Sequence, residues 1–381
     1  MVYVTGFKCF RCASRFKPLE IEKLPIPRCK KCGSALDAEY DYRSIQKVIL
    51  RDDFMRDKPA QWKYWAFMPV KDLSKIITMG EGGTPLLENR MLWKKGRLLI
   101  KYEASNPTGS FKDRGSSLEI TKALEFGKRK VALASTGNMG ASVAAYAAYA
   151  GLECKVFIPA DIVGKEKITQ MKAYGAKTIM VDGDYSVAIK KAEDYVVSNH
   201  DSFLTGDYPW RSQGTKTVGF EIADQLYWRV PDHVVVPVGN GTLIWSIYEA
   251  FRELMLVGIT DRIPHINAVQ VENCDPVVHA WENELGEIIP VKNPQTVATA
   301  IACGDPIDGI AALQAIRGSG GEGVRVSDRE ALNARDVLAR NGIFVEPSGA
   351  VAYAGALKKK PDGTVVCLAT GHGLKDMQGL E

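Results

Sequence analysis

The chain reads as an α/β protein with open, mostly parallel sheets behind a small cysteine ribbon, and three observations predict this. Seven short runs, RLLIKYE, KVALAS, CKVFIP, KTIMVD, HVVVPV, NAVQVE and TVVCLA, alternate with helical stretches from about Arg97 onward. Most are continuously apolar, as suits strands covered on both faces by helices. Two C-x-x-C pairs stand in front of them.

Taken in chain order, the ribbon comes first. Cys9 and Cys12 form one pair, Cys29 and Cys32 the other, with sixteen residues between. Each C-x-x-C turn presents two sulfurs on one side of a knuckle, and two knuckles complete a tetrahedron around Zn²⁺. Four protein ligands leave no open position for a water, so the zinc expected here is structural. Cys154, Cys274, Cys303 and Cys367 lack metal spacing and read as passive thiols. Lys8, Arg11, Arg15, Lys17, Arg28, Lys30 and Lys31 surround the ribbon, but basic residues beside thiolates also offset their charge.

A charged and aromatic connector, DYRSIQKVILRDDFMRDKPAQWKYWAFMP, reads as helical and ends near Pro69. Beyond it, helical patterns cover SSLEITKALEFGKR, GASVAAYAAYAGL, KEKITQMKAYG, YSVAIKKAEDYVVSN, TKTVGFEIADQLYW and SDREALNARDVLARNG, the last opened by a Ser327/Glu330 capping box. The 381 residues, 46% of them hydrophobic, are enough for two or three domains. A net charge of +4, spread along a chain with 45 acidic residues, leaves no footprint for nucleic acid or an anionic membrane. MVYVTGFKCF lacks the apolar core of a signal peptide, and Ala141 to Leu152 is too short to span a bilayer, so a cytoplasmic protein is expected.

One G-x-G-x-x-G occurs, at Gly318–Gly323, but it follows a helical pattern and precedes a strand, the reverse of a dinucleotide fingerprint. Three loops remain. KVALAS leads into Ser135-Thr136-Gly137-Asn138 and then an Ala-rich helix; HVVVPV leads into Gly239-Asn240-Gly241-Thr242 and another helix. Helix starts of this kind bind anions, and the two are expected on adjacent strand ends. The third loop, NPTGSFKDRG, sets Lys112 between turn residues and an Asp113–Arg114 pair. Two anion cradles and a lysine suit a phosphorylated carbonyl cofactor, pyridoxal 5′-phosphate, held by lysine as a Schiff base. Thr370, after TVVCLA, offers a neutral hydroxyl for a pyridine nitrogen.

SFKDRG with STGN, a glycine loop after VPV, and TGHGLKD near the C-terminal end together resemble fold-type II pyridoxal-phosphate enzymes, specifically the threonine synthase family. The likeness runs over roughly residues 80 to 381 and includes GEGGTPLLENR, YPWRSQGTKTVGFEI, TVATAIACGDP and GIFVEPSGAVA. It implies a ribbon over 1–45, a large cofactor-binding α/β domain over 46–121 and 206–381, and a small α/β domain over 122–205. It also implies Lys112 as the Schiff-base lysine, Asn138 at the cofactor's 3-hydroxyl, Gly239, Asn240, Gly241 and Thr242 at its phosphate, and Thr370 at its ring nitrogen. Ser135 and Thr136 are then expected at the substrate carboxylate and Arg211 at the substrate phosphate, while Asp113–Arg114 anchors the turn. Three places depart from the family pattern: Thr242-Leu243 in the glycine loop, Met139-Gly140 after STGN, and Thr205-Gly206-Asp207 before Arg211.

The implied reaction converts O-phospho-L-homoserine and water to L-threonine and phosphate, by a homodimer acting on a phosphorylated amino acid and not on nucleic acid or membrane. The rivals are β-replacement or dehydration on a smaller hydroxy- or phospho-amino acid, such as cysteate synthesis from O-phosphoserine and sulfite, and a non-catalytic nucleic-acid-binding ribbon protein.

Overall fold

The computed structural model describes residues 3–49, 52–160 and 165–377. The chain divides into two compact units, each built around its own sheet. Unit 1 comprises Met1–Ile49, Gln61–Glu81 and Lys112–Thr215; unit 2 comprises Leu50–Ala60, Gly82–Phe111 and Lys216–Glu381.

In unit 1 the ribbon is an antiparallel sheet of β1 (Val4–Cys9), β2 (Arg15–Phe16) and β3 (Leu36–Tyr40), in the order β2-β1-β3. It is seated on the short helix Pro209–Thr215. Phe7 meets Trp210 edge-on at 5.3 Å, Tyr40 donates to Gln213 Oε1 at 2.7 Å, and Gln213 Nε2 donates to Asp37 at 2.8 Å. All of these groups are buried, so the ribbon shares one core with that helix.

Unit 2 contributes β4 (Leu86–Glu88) and β5 (Arg97–Tyr102) next in the chain. Unit 1 then supplies β6 (Lys130–Ala134), β7 (Glu153–Pro159), β8 (Lys177–Val181) and β9 (Ser202–Leu204), a parallel sheet in the order β8-β7-β6-β9. Its central strands are buried, as their apolar runs require; β8 is an edge strand with Ile179 and Met180 exposed, so KTIMVD departs from the two-sided burial expected. The Ala-rich helix Asn138–Tyr149 is buried over most of its length between the helices Lys112–Glu125 and Lys165–Ala173. Small side chains permit that, and Gly140 lies directly under Met171.

The sheet of unit 2 is completed by β10 (His233–Pro237), β11 (His265–Val271), β12 (Gly323–Val326) and β13 (Thr364–Ala369), in the order β12-β11-β10-β13-β5-β4. All its pairs are parallel except β4 with β5. Strands β10, β13 and β5 are neighbours, so the loops after Pro237, Ala369 and Tyr102 leave the same edge, where open parallel sheets bind ligands. β6 belongs to the other sheet. The Ser135 and Gly239 loops therefore do not leave adjacent strand ends, because four-strand and six-strand sheets of the same parallel type look alike in sequence.

Two expected helices also shift. The Lys112–Glu125 helix begins four residues before SSLEITKALEFGKR, so Lys112 is its first residue. TKTVGFEIADQLYW belongs to two helices, Pro209–Thr215 and Thr217–Gln225, which meet at Lys216.

Candidate active site

Unit 2 holds the glycine loop. Gly241 takes a left-handed φ of 104° as N-cap of the fifteen-residue helix Thr242–Leu256, and a Cβ on it would stand 2.5 Å from the Asp308 carbonyl oxygen. A Cβ on Gly239 would stand 3.0 Å from Ile301 Cα. Only glycine serves at Gly241, where both the φ and the crowding exclude a side chain. Asn240 Oδ1 accepts the Ile307 N–H at 2.7 Å, which fixes the amide's orientation and points Nδ2 the other way. That Nδ2 is buried without an acceptor among the described residues. A buried orphan donor beside a helix N-terminus is what a phosphate oxygen satisfies. Thr242 differs, because its hydroxyl donates to Asp308 at 2.6 Å, leaving its backbone N–H as the group suited to an anion.

On the same sheet edge Thr370 is buried at the end of β13. Its carbonyl accepts the Phe111 N–H at 3.1 Å, His372 N–H donates to Gly109 at 2.9 Å, and Lys375 Nζ donates to the Thr108 carbonyl at 2.8 Å. The loop Thr108–Phe111 is thus stitched to the loop after β13, and the next residue along the chain is Lys112.

Unit 1 holds the lysine, the STGN loop and Arg211. Ser135 Oγ accepts the N–H groups of Gly137 (3.2 Å) and Gly140 (2.9 Å), filling its lone pairs and leaving its O–H to donate outward. Asn138 starts the helix and is buried; Thr136 is half-buried. After Lys112, Asp113 accepts the Ser142 hydroxyl at 2.5 Å, and Gln61 Nε2 donates to the Arg114 carbonyl at 2.8 Å, so this turn is anchored from two sides.

Arg211 is buried at 1% exposure and paired with Glu119, itself fully buried. Its Nε donates to the Gly206 carbonyl (3.2 Å), Nη1 to the Lys112 carbonyl (3.3 Å), and Nη2 to Ser116 Oγ (3.4 Å) and Glu119. The contact is possible because Gly115 and Gly214 let the two helices approach; a Cβ on Gly115 would meet Arg211 Cγ at 2.8 Å. Burial pushes the Glu119 carboxyl up to about 7 against the pull of Arg211 and the Gly206 N–H, and Asp207 pushes the same way as burial. Glu119 was not singled out in the sequence. Its signal is spacing: Lys112, Ser116 and Glu119 follow i, i+4, i+7 and share one helix face, the face Arg211 lies on.

The ribbon brings the four sulfurs of Cys9, Cys12, Cys29 and Cys32 within 4.8 Å of one another. Cys9 and Cys32 are 3.5 Å apart and Cys12 and Cys29 3.6 Å, near the roughly 3.8 Å that tetrahedral Zn–S bonds impose. Both knuckles close alike: Ala13 and Gly33, at positive φ, donate back to the Cys9 and Cys29 carbonyls.

Residues 77–371 match the family described as pyridoxal-phosphate dependent enzyme. By this match, which covers well over half of its length, the chain belongs to this family and binds pyridoxal phosphate. It is 41% identical to a threonine synthase of Methanocaldococcus jannaschii and 42% identical to one of Methanosarcina acetivorans, each over 97% of this chain and 92% of that protein. A Mycobacterium tuberculosis threonine synthase is 41% identical over 81% of this chain and 86% of its own. Within the family the chain therefore belongs with the threonine synthases, the resemblance its motifs carry. In fold it is similar to maize serine racemase (22% identity, TM-score 0.65, 76% of this chain and 88% of that one) and to a T.th. threonine deaminase (26%, 0.64, 76% and 92%). Both likenesses agree with a fold-type II architecture.

Proposed function

We propose that the chain converts O-phospho-L-homoserine and water to L-threonine and phosphate. The observation that carries this reading is the likeness to threonine synthases over 97% of the chain.

When bound, pyridoxal phosphate supplies an electron sink for the charge left when a bond at the substrate's Cα breaks. The Asn240 amide and the N–H groups opening the Thr242 helix would hold its phosphate, Thr370 would meet its ring nitrogen, Asn138 its 3-hydroxyl, and Lys112 Nζ would hold its aldehyde carbon. Ser135 and Thr136 hydroxyls orient the substrate carboxylate, and Arg211 receives the substrate phosphate with its remaining Nη1–H. Lys112 Nζ would take the proton from the substrate's Cα and then one from Cβ. As phosphate departs from Cγ, Nζ would return one proton to Cγ, which becomes the methyl group, and the other to Cα, while water adds its hydroxyl at Cβ and gives its remaining proton to the released phosphate.

Lys112→Ala is expected to lose about 10²–10⁴-fold in turnover and to lose the visible absorbance of lysine-bound cofactor. Borohydride should fix the cofactor to Lys112 in the wild type; a label on another lysine sinks the assignment. A second reading, replacement or dehydration on a smaller hydroxy- or phospho-amino acid, is favoured by the engagement of Arg211 with Glu119. Measuring phosphate and ammonia release from phosphohomoserine, phosphoserine and threonine separates the two.

The reading includes one structural zinc per chain on Cys9, Cys12, Cys29 and Cys32. Chelation is expected to lower the melting temperature more than it lowers turnover per folded molecule, checked by metal analysis beside calorimetry. Selective loss of catalysis in a chain that keeps its stability would contradict it. The reading also takes the enzyme as a cytoplasmic homodimer without nucleic-acid binding, which sedimentation of the holoenzyme and a salt-dependent nucleic-acid titration test. Among the described residues no helix is long and apolar enough to cross a membrane.

A further inference from the structure

Arg211 is already held by a carboxylate of its own chain. Four of its five N–H groups are engaged, by the Gly206 and Lys112 carbonyls, Ser116 and Glu119. Glu119 also accepts the Gly206 N–H at 2.8 Å, so one carboxylate secures both the arginine and the loop leading to it. The pair lies in a dry site where Coulomb terms are weakly screened. A phosphate approaching Arg211 meets a guanidinium already paired with Glu119, whose carboxyl the nearby Asp207 also pushes up.

We propose that Glu119 is the internal counter-anion of Arg211, a specificity-determining residue that keeps the guanidinium on the Lys112 turn and weakens its grip on phosphate. This rests on the reading that Arg211 receives the substrate phosphate. A tethered carboxylate competes at high effective concentration with a free anion. A phosphate attached to a substrate also held at the Lys112 and Ser135 positions overcomes that competition with binding energy from the rest of the molecule. Inorganic phosphate, once cleaved, has no such help. Glu119 thus favours the phosphorylated amino acid over its own product and speeds product departure.

The test is calorimetric titration of the holoenzyme with inorganic phosphate at pH 8, above the value of about 7 to which burial raises Glu119, so that the carboxylate is charged. Glu119→Gln keeps an acceptor for the Gly206 N–H and removes the charge; it is expected to bind phosphate about tenfold more tightly, with deeper product inhibition, a lower KM and no gain in kcat. A role confined to holding the fold together gives weaker binding, never tighter. If the Gln variant does not fold, Asp207→Asn supplies the same direction with a smaller shift. Unchanged or weaker phosphate binding in the folded variants overturns the proposal. Arg211→Ala separates the two layers. If it weakens phosphate binding while neither carboxylate variant tightens it, the counter-anion role alone is lost. If it leaves phosphate binding unchanged, the phosphate assignment of Arg211 falls, and the proposal with it.

Discussion

The loops after β6 and β10 share a plan, apolar strand, glycine-rich turn, helix, yet they are finished differently. In Ser135–Gly140 the turn is closed from within, by a serine oxygen that takes two N–H groups. In Gly239–Thr242 the turn is held from outside, by Ile307 and Asp308, and the buried Asn240 Nδ2 has no acceptor among the described residues. The first closes its own turn and still offers a hydroxyl proton; the second leaves a buried donor that calls for an acceptor. Identical-looking helix starts can thus leave different groups open, a hydroxyl in one and an amide donor in the other, and their hydrogen-bond partners tell them apart.

Glycine substitution is the strongest way to break the comparison. Gly241→Ala forces a Cβ against the Asp308 carbonyl at a φ of 104° and is expected to weaken pyridoxal-phosphate binding by about ten- to hundredfold. Gly140→Ala meets the buried but flexible Met171 side chain instead, so it is expected to cost about 1–3 kcal/mol of stability and to leave cofactor affinity unchanged. Cofactor titration of both apoenzymes measures the contrast; equal losses would show that the loops are not differently built.

A finer probe exchanges the polar groups. Asn240→Asp keeps the acceptor for Ile307 but replaces the orphan donor with a negative charge, and should cost roughly tenfold or more in cofactor affinity. Ser135→Ala should cost about 1 kcal/mol of stability through the lost cap and raise the substrate KM, while leaving cofactor affinity alone. Fluorescence titration with cofactor and steady-state kinetics read the two effects separately.

The smallest effect concerns pH. Burial raises Glu119, in unit 1, and Glu253, in unit 2, to about 7. A folded pKa above the unfolded one means the fold holds the proton. The stabilisation is present below about pH 4.5 and is lost as pH rises through 7. Glu119→Gln cannot titrate, so the melting temperature of the variant minus that of the wild type should increase by a few degrees between pH 4.5 and 8. A constant difference would mean Glu119 is ionised throughout.

Much of this was legible in the chain itself. TVVCLA is β13, residue for residue, and the Ser327/Glu330 capping box opens its helix as read. The cysteine spacing predicts the four-sulfur cluster because both knuckles are local. What sequence could not supply is long-range. Ser-Phe-Lys-Asp-Arg-Gly reads as turn, yet Lys112 starts a helix because Phe111 is pinned to Thr370 far along the chain. Glu119 reads as one more helical glutamate until Arg211, ninety-two residues away, is laid on the same face.

That distance is longer still for the ribbon. Tyr40 finds Gln213 across 173 residues, and Phe7 finds Trp210 across more. At the usual pace of synthesis the ribbon therefore leaves the ribosome roughly 9–35 s before its partner helix exists. Over that interval Phe7, which ends with no exposure at all, has nothing of the Pro209–Thr215 helix to cover it. A metal clip on the four local cysteines would need no distant residue, and a ribbon so closed would keep its shape from the first moments of translation until Trp210 arrives. Such a clip would then fix the surface on which the helix bearing Arg211 comes to rest.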